Sequence, residues 1–142
     1  MKNATLLYLN LENCDITSAS AKDMFRCFSS MKVLTDLNLS RNNLGSLGGR
    51  ALADSLIANP NSVLWRINLS RCGIEAEGTR HFFNEMRNNK KLLHLIYDYN
   101  QFDQEVERLS PVMVEFFSSN KSLINLSLQD CEINRLKFDI IN

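Results

Sequence analysis

The sequence predicts an α/β solenoid, a horseshoe segment with five parallel strands on its concave face and helices on its convex face. Two observations predict it. The first is a spacing. Leu34, Leu37, Leu39, Asn42 and Leu44 follow the pattern L-x-x-L-x-L-x-x-N-x-L, which recurs as Leu6, Leu9, Leu11, Cys14, Ile16 and as Leu64, Ile67, Leu69, Cys72, Ile74. It continues as Leu92, Leu95, Tyr97, Asn100, Phe102 and ends as Leu123, Leu126, Leu128, Cys131, Ile133. The second is the period: the first positions lie 28, 30, 28 and 31 residues apart, which leaves room after each strand and turn for a helix.

Each element has a local reason. The central L-x-L is a short strand whose alternate side chains point inward. The Asn or Cys then turns the chain: an Asn can satisfy backbone groups that the turn leaves open, and a Cys is small enough for the same buried slot. The first helix is expected over about 20–30, burying Met24 and Phe28, with Ser20 where later units carry Gly. The second, about 46–59, has Gly48 for a close turn after Leu44, Leu52 and Leu56 facing inward, and Pro60 to bar its continuation. The third, about 76–88, repeats the plan with Gly78, Phe82 and Met86. The fourth unit is irregular: three extra residues in FDQEVERLSPVMVEFFSSN predict a bulge after Phe102, then a helix led in by Pro111 and buried through Met113 and Phe117. Asn61, Asn89 and Asn120 each stand three residues before the next first leucine. Because Asn tolerates the left-handed conformation that ends helices, this N-x-x-L predicts a helix stop followed by a strand start. The units fall at about 6–33, 34–63, 64–91, 92–122 and 123–142, one domain over 1–142 with an incomplete last unit. Neither the opening residues nor the tail NRLKFDIIN forms a full cap, so the chain reads as a piece of a longer solenoid.

A content of 44% hydrophobic and 23% charged residues is an ordinary globular balance. Sixteen basic and sixteen acidic residues cancel, which removes the electrostatic footprint of a nucleic-acid binder. The N-terminal apolar run in MKNATLLYLNLENCD is too short for a signal peptide or a membrane span, so a cytoplasmic location without membrane insertion is expected. Cys14, Cys72 and Cys131 share one template position. Strands two apart lie roughly twice 4.8 Å from each other, beyond the limit of about 7 Å for a disulfide. All three are therefore expected to be buried, reduced and inert, and Cys27 has no evident mate. Asn-x-Ser/Thr sequons begin at Asn3, Asn38, Asn68, Asn120 and Asn125, but three of them fall inside expected strands, which argues against glycosylation.

For catalysis the chain offers little. Its histidines are His81 and His94, and it contains no Cys-x-x-Cys, His-Glu-x-x-His, phosphate loop or Gly-x-Gly-x-x-Gly. His81 and Glu85 are i, i+4 on a helix, the spacing of an ordinary surface pair. His94 is expected beside Asp98 on the sheet face, where no nucleophile or oxyanion site accompanies it. The sequence reads as a non-enzyme with no cofactor, no metal site and no small-molecule substrate.

From residues 4 to 136 the motif resembles the leucine-rich repeat, in the long, ribonuclease-inhibitor-like form. Within that form the insertion and the stretch LSPVMVEFFSSNKSLINLSL, residues 109–128, are similar to the repeat domain of the CARMIL family of cytoskeletal scaffolds. The resemblance implies a protein-interaction scaffold near the cytoskeleton. Other relatives sense ligands in immune receptors or activate the Ran GTPase, so a passive scaffold and a regulatory partner of a small GTPase or of actin machinery both stand.

The functional surface is then the concave sheet, on which each outward template position forms a column. The first column is Tyr8, Asp36, Arg66, His94 and Asn125; the second is Asn10, Asn38, Asn68, Ile96 and Ser127; the third is Glu12, Ser40, Ser70, Asp98 and Gln129. Both signs of charge appear, which suits a mixed-charge protein partner. The eighth position stacks Asn13, Arg41, Arg71, Tyr99 and Asp130. There Arg41 and Arg71 stand on adjacent strands, Tyr99 covers Arg71 by a cation–π contact, and Arg41 is left to reach outward. The candidate partner-binding residues are Arg41, Arg71, Tyr99, Tyr8, Asp36, Arg66, His94 and Asp98. The second template position holds Leu7, Thr35, Trp65, Leu93 and Ile124, an apolar row expected to pack under neighbouring loops rather than to form a docking ridge.

Overall fold

The computed structural model describes residues 5–28, 30–102 and 106–131. Five three-residue strands, β1 (Tyr8–Asn10), β2 (Asp36–Asn38), β3 (Arg66–Asn68), β4 (His94–Ile96) and β5 (Asn125–Ser127), form one parallel sheet in sequence order. Between them run α1 (Ser18–Phe28), α2 (Gly45–Ile57), α3 (Ala76–Met86) and α4 (Val106–Ser119). This is the α/β leucine-rich solenoid that the spacing predicts, each helix packing on the next.

The core lies between the two layers. Leu37, Leu39, Ile67, Leu69, Leu95 and Tyr97 are buried from the sheet side. At the ends of the stack Leu9, Leu11, Leu126 and Leu128 are only half-buried. Where the third and fourth units meet, aromatic rings replace aliphatic packing. Phe83 lies 4.9 Å from Phe116 and 5.2 Å from Tyr97 between ring centroids, distances favourable for tilted and edge-on pairs. The Tyr97 hydroxyl shares a hydrogen bond of 3.0 Å with Thr79 Oγ1, and full burial raises its pKa.

Helix faces depart from the sequence reading by one position at two places. Phe25 rather than Met24 is fully buried on α1, and Phe116 is buried on α4 while Phe117 is half-exposed. Advancing one residue rotates a side chain by about 100°, so the phase of a helix decides which of two adjacent apolar residues enters the core. Phe83 of α3 and Ala53 of α2 join that face too, while Leu56 is only half-buried. Pro111 lies inside α4 rather than at its start, at the cost of one helical hydrogen bond. The bulge expected after Phe102 falls on 103–105, and the tail and Ile133 fall on 132–142, all outside the described residues.

Gly48 serves a purpose other than the expected turn. It sits within α2, where a Cβ would stand 2.9 Å from Leu44 Cβ and 3.3 Å from Ala21 Cβ, so it allows close packing against α1. Gly78 does the same on α3: a Cβ there would fall 2.6 Å from the Ser46 Cα of α2. The left-handed glycine of this turn is instead Gly45, at φ +60°.

The left-handed residues also lie elsewhere than expected. Asn61, Asn89 and Asn120 are not among them. Asn13, Arg41, Arg71, Tyr99 and Asp130 all have φ between 53° and 59°, so the eighth template position is left-handed in every unit, although Arg and Tyr are not residues that favour it. Asn89 and Asn120 act through their side chains. Asn89 Oδ1 accepts from the Lys91 and Leu92 amides at 2.8 Å, and Asn120 Oδ1 accepts from those of Ser122 and Leu123 at 3.1 and 2.9 Å. In the second unit buried Asn59, not Asn61, reaches back, donating to the Phe28 and Met31 carbonyls.

Candidate functional site

The pairing register aligns the outward columns residue by residue. Tyr8, Asp36, Arg66, His94 and Asn125 are successive partners across the sheet, as are Asn10, Asn38, Asn68, Ile96 and Ser127. What fixes the register is the turn. Asn42 Oδ1 accepts from the Cys14 and Ile16 amides of the preceding unit at 3.0 Å each, while its Nδ2 donates to the Leu11 and Leu39 carbonyls at 2.8 and 2.7 Å. Asn100 does the same for the Cys72 and Ile74 amides and the Leu69 and Tyr97 carbonyls. In the alternate units the cysteine only donates: Cys72 Sγ to Leu39 O and Cys131 Sγ to Tyr97 O, both at 3.2 Å. An Asn unit thus seals the turn of the Cys unit before it.

Burial raises the Cys72 thiol to about 12 and that of Cys131 to about 11, so both stay protonated and unreactive. Cys14, expected to be buried with them, is exposed. It belongs to the first unit of the stack, where no described unit precedes it.

On this frame the candidate residues fall into pairs. Arg66 Nη1 donates to Asp36 Oδ2 at 3.2 Å within the first column. The Arg71 guanidinium carbon lies 3.9 Å from the centroid of the Tyr99 ring, the expected cation–π contact. Tyr99 Oη in turn accepts from Gln129 Nε2 at 3.2 Å. Arg41, expected to be free, is instead paired: its Nε lies 3.3 Å from Glu12 Oε1 on the preceding strand's exit. His94 and Asp98 go separate ways. The His94 ring stands edge-on to Trp65 with centroids 5.2 Å apart, and Asp98 Oδ1 accepts from the Gln129 amide at 2.8 Å. Tyr8 stands exposed at the first strand. Sequence reasoning places Glu12 in the third column and Trp65 in the apolar row, but neither among the candidate partner-binding residues. Their signal was positional, since each lies one template step from a chosen residue on the neighbouring strand.

Asn38 and Asn68 use their side-chain oxygens on Ser40 and Ser70, accepting from both the amide and the hydroxyl of each serine. These N-L-S sequons are therefore structural turns. On the helix layer His81 Nε2 meets Asp54 Oδ1 at 2.8 Å rather than Glu85, Arg50 meets Glu77 at 2.6 Å, and Arg87 meets Glu115. Each pair ties one helix to the next.

The apolar row at the second position does not pack away. Leu7 is 57% exposed, Trp65 37% and Ile124 75%, while Leu93 is half-buried. The row lies along the edge where helices return to strands, called here the entry rim; the edge where strands leave for their turns is the exit rim. The backbone of these residues is already spent on the sheet, Leu93 N donating to Trp65 O and Ile124 N to Leu93 O at 2.8 Å each. With the backbone held in the sheet, Leu7, Trp65 and Ile124 stay exposed at the strand starts. Among the described residues no group of His, Cys, Asp and Glu could hold a metal ion, and no helix is long and apolar enough to cross a membrane.

A family model described as Leucine Rich repeat matches residues 2–24 and 30–53. The ribonuclease inhibitor of Mus musculus is 37% identical over 101 residues, 71% of this chain and 22% of that protein. The ribonuclease inhibitor of Sus scrofa is 30% identical over 124 residues, 87% of this chain and 26% of its own length. NACHT, LRR and PYD domains-containing protein 14 of Mus musculus is 32% identical over 104 residues, 73% of this chain and 10% of that protein. The chain thus spans between a tenth and about a quarter of the length of these curated relatives. A solved structure titled Leiomodin-1 Actin-Binding Site 2 superposes with a TM-score of 0.73, covering 94% of this chain and 76% of that one, and at 17% identity the likeness is one of fold.

Strand, sealed turn and helix, stacked in register, define a leucine-rich repeat solenoid. The chain belongs to the leucine-rich repeat proteins of the ribonuclease-inhibitor-like type.

Proposed function

We propose that this chain is a non-catalytic, cytoplasmic scaffold that holds a protein partner against the outward columns of β1–β5 and the eighth-position row. The observation that carries this reading is the pre-pairing of the charged side chains: Asp36 with Arg66, Glu12 with Arg41, and Arg71 with Tyr99. Side chains already held in place lose less rotamer freedom on binding, so more of the contact energy appears as affinity. The surface mixes signs, with Glu12, Asp36 and Asp98 beside Arg41, Arg66 and Arg71, and so suits a partner of mixed charge.

The names of the similar proteins suggest two probes, a ribonuclease and actin. The test immobilises the chain and titrates a purified ribonuclease and purified actin, then any partner recovered by cross-linking and purified. Arg41→Ala with Arg71→Ala should weaken the bound partner by more than about 2 kcal/mol, roughly 30-fold. Arg50→Ala on the helix layer should leave affinity unchanged. Equal losses from both variants, or loss only from the helix-layer variant, would move the binding face off the sheet.

A further inference from the structure

We propose that the entry rim is a second interaction surface, independent of the columns, and that it takes an acidic protein segment carrying large apolar side chains. The loops from each helix to the next strand, residues 30–33, 58–63, 87–91 and 120–122, contain Lys32, Arg87, Lys90, Lys91 and Lys121 and no Asp or Glu. The exit turns contain five acidic residues, Glu12, Asp15, Glu75, Asp98 and Asp130, against two basic ones, Arg41 and Arg71. The formal net charge of zero therefore conceals a separation of charge across the sheet.

The helix dipole accounts for part of the basic rim, since cations are favoured near helix C-termini, and Lys121 Nζ does donate to the Ser118 carbonyl at 2.7 Å. It does not account for the apolar side chains left exposed beside those cations: Val63 at 45%, Trp65 and Ile124. Nor does it account for the relief. Two cavities flank the 87–91 loop and share Asn88, Asn89 and Lys90 in their walls. One, of about 400 Å³, runs to Ile57 and Pro60; the other, of about 560 Å³, runs to Leu93, Lys121 and Ile124. Glu85 lines the first, its hydrogen bond from the neutral amide of Asn84 leaving its charge uncompensated, and Arg87 is paired with Glu115 near the second, so the cations that serve these cavities are Lys90, Lys91 and Lys121.

The two cavities lie on either side of the loop, with Lys90 in both walls and apolar residues at their outer ends. A segment alternating carboxylates with leucine- or phenylalanine-sized side chains would set its charges on Lys90, Lys91 and Lys121 and its apolar groups on Trp65, Leu93 and Ile124. Charge complementarity selects acid over base, and the apolar walls select it over a simple polyanion.

Trp65 is the only tryptophan in the chain; because its ring also meets His94 of the first column, its emission reports binding at the rim or beside it, and the variants below assign which. The experiment titrates the full chain with a synthetic peptide in which glutamates alternate with leucines. A saturable blue shift of the Trp65 emission is expected, weakening as salt is raised. Lys90→Glu with Lys121→Glu should weaken it at least about tenfold at retained circular dichroism and cooperative unfolding. Arg41→Ala with Arg71→Ala should leave it unaltered, which separates this rim from the columns. The proposal is overturned by an equal response to a lysine–leucine peptide, by unaltered affinity in the charge-reversed variant, by loss in the Arg41/Arg71 variant, or by a shift seen only with vesicles of anionic lipid.

Discussion

The two edges of the same five strands are built on opposite terms. At the exit rim the backbone is dictated: one left-handed residue recurs in every unit, and buried Asn42 and Asn100 each hold two amides and two carbonyls. At the entry rim Asn120 also bonds two amides and the Met86 and Asn89 carbonyls, but it is half-exposed; half-exposed Asn89 accepts from two amides, buried Asn59 donates to two carbonyls, and none of the described residues there is left-handed. The difference separates two duties. The exit rim sets register, so its side chains project from a fixed lattice. The entry rim tolerates a longer loop at Asn59–Ser62, and its charge and apolar content are free to vary.

The sharpest test of this contrast is removal of one asparagine from each rim. Asn100→Ala should orphan four buried backbone groups at about 1–3 kcal/mol each, with partial relaxation, for a net loss on the order of 4 kcal/mol. Asn89→Ala exposes its two amides to nearby solvent and should cost about 1 kcal/mol. Urea unfolding of both variants measures the pair, and equal losses would break the distinction.

The exit rim was also the more legible one in the sequence, and for the same reason. A lattice fixed by a repeated motif writes its spacing into every unit, so the strands, their order and all three columns follow from leucine positions alone. What did not follow depends on facts the motif does not encode. Met24 against Phe25 and Phe117 against Phe116 turn on where a helix begins. The left-handed position was assigned to asparagines because asparagine prefers that conformation, whereas the fold imposes it on Arg41, Arg71 and Tyr99 through the turn hydrogen bonds. The equivalence of Cys14 with Cys72 holds only inside a stack, and Cys14 sits at its end. The pairing of Arg41 with Glu12 needed side-chain reach, which spacing does not give.

The cysteines supply a test of intermediate size. Burial pushes the Cys72 thiol up to about 12 in the folded chain against an ordinary value of 9.0. Below about pH 9 both states hold the proton and the contribution to stability is complete. As pH rises from 9 toward 12 the unfolded chain ionises while the buried thiol cannot, so stability is lost across that window. The melting temperature should fall over it, and less steeply in Cys72→Ala. A thiol reagent should label Cys14 and Cys27 in the native protein and reach Cys72 and Cys131 only on unfolding. Identical alkaline slopes, or rapid native labelling of Cys72, would mean that the sealed turn admits solvent.

The smallest expected effect is a reversal of sign between the rims. At Arg71, with φ of 54°, a Cβ in the left-handed region carries a cost of about 1–2 kcal/mol. Arg71→Ala keeps that cost and loses the contact with Tyr99, worth about 0.5–1 kcal/mol at an exposed site. Arg71→Gly loses the same contact but removes the strain, against an added unfolded-state entropy of about 0.5–1 kcal/mol. The glycine variant should therefore be the more stable of the two by about 0.5 kcal/mol. At Asn89, which has no left-handed backbone to relieve, the order should invert, with Asn89→Gly less stable than Asn89→Ala by about 0.5–1 kcal/mol. Both comparisons cancel the lost side chain and leave only the backbone, so four denaturation curves decide whether the exit rim alone stores strain. Alanine as the more stable variant at both positions would show that the left-handed conformation of Arg71 stores no strain, and glycine as the more stable at both would show that the exit rim is not distinct.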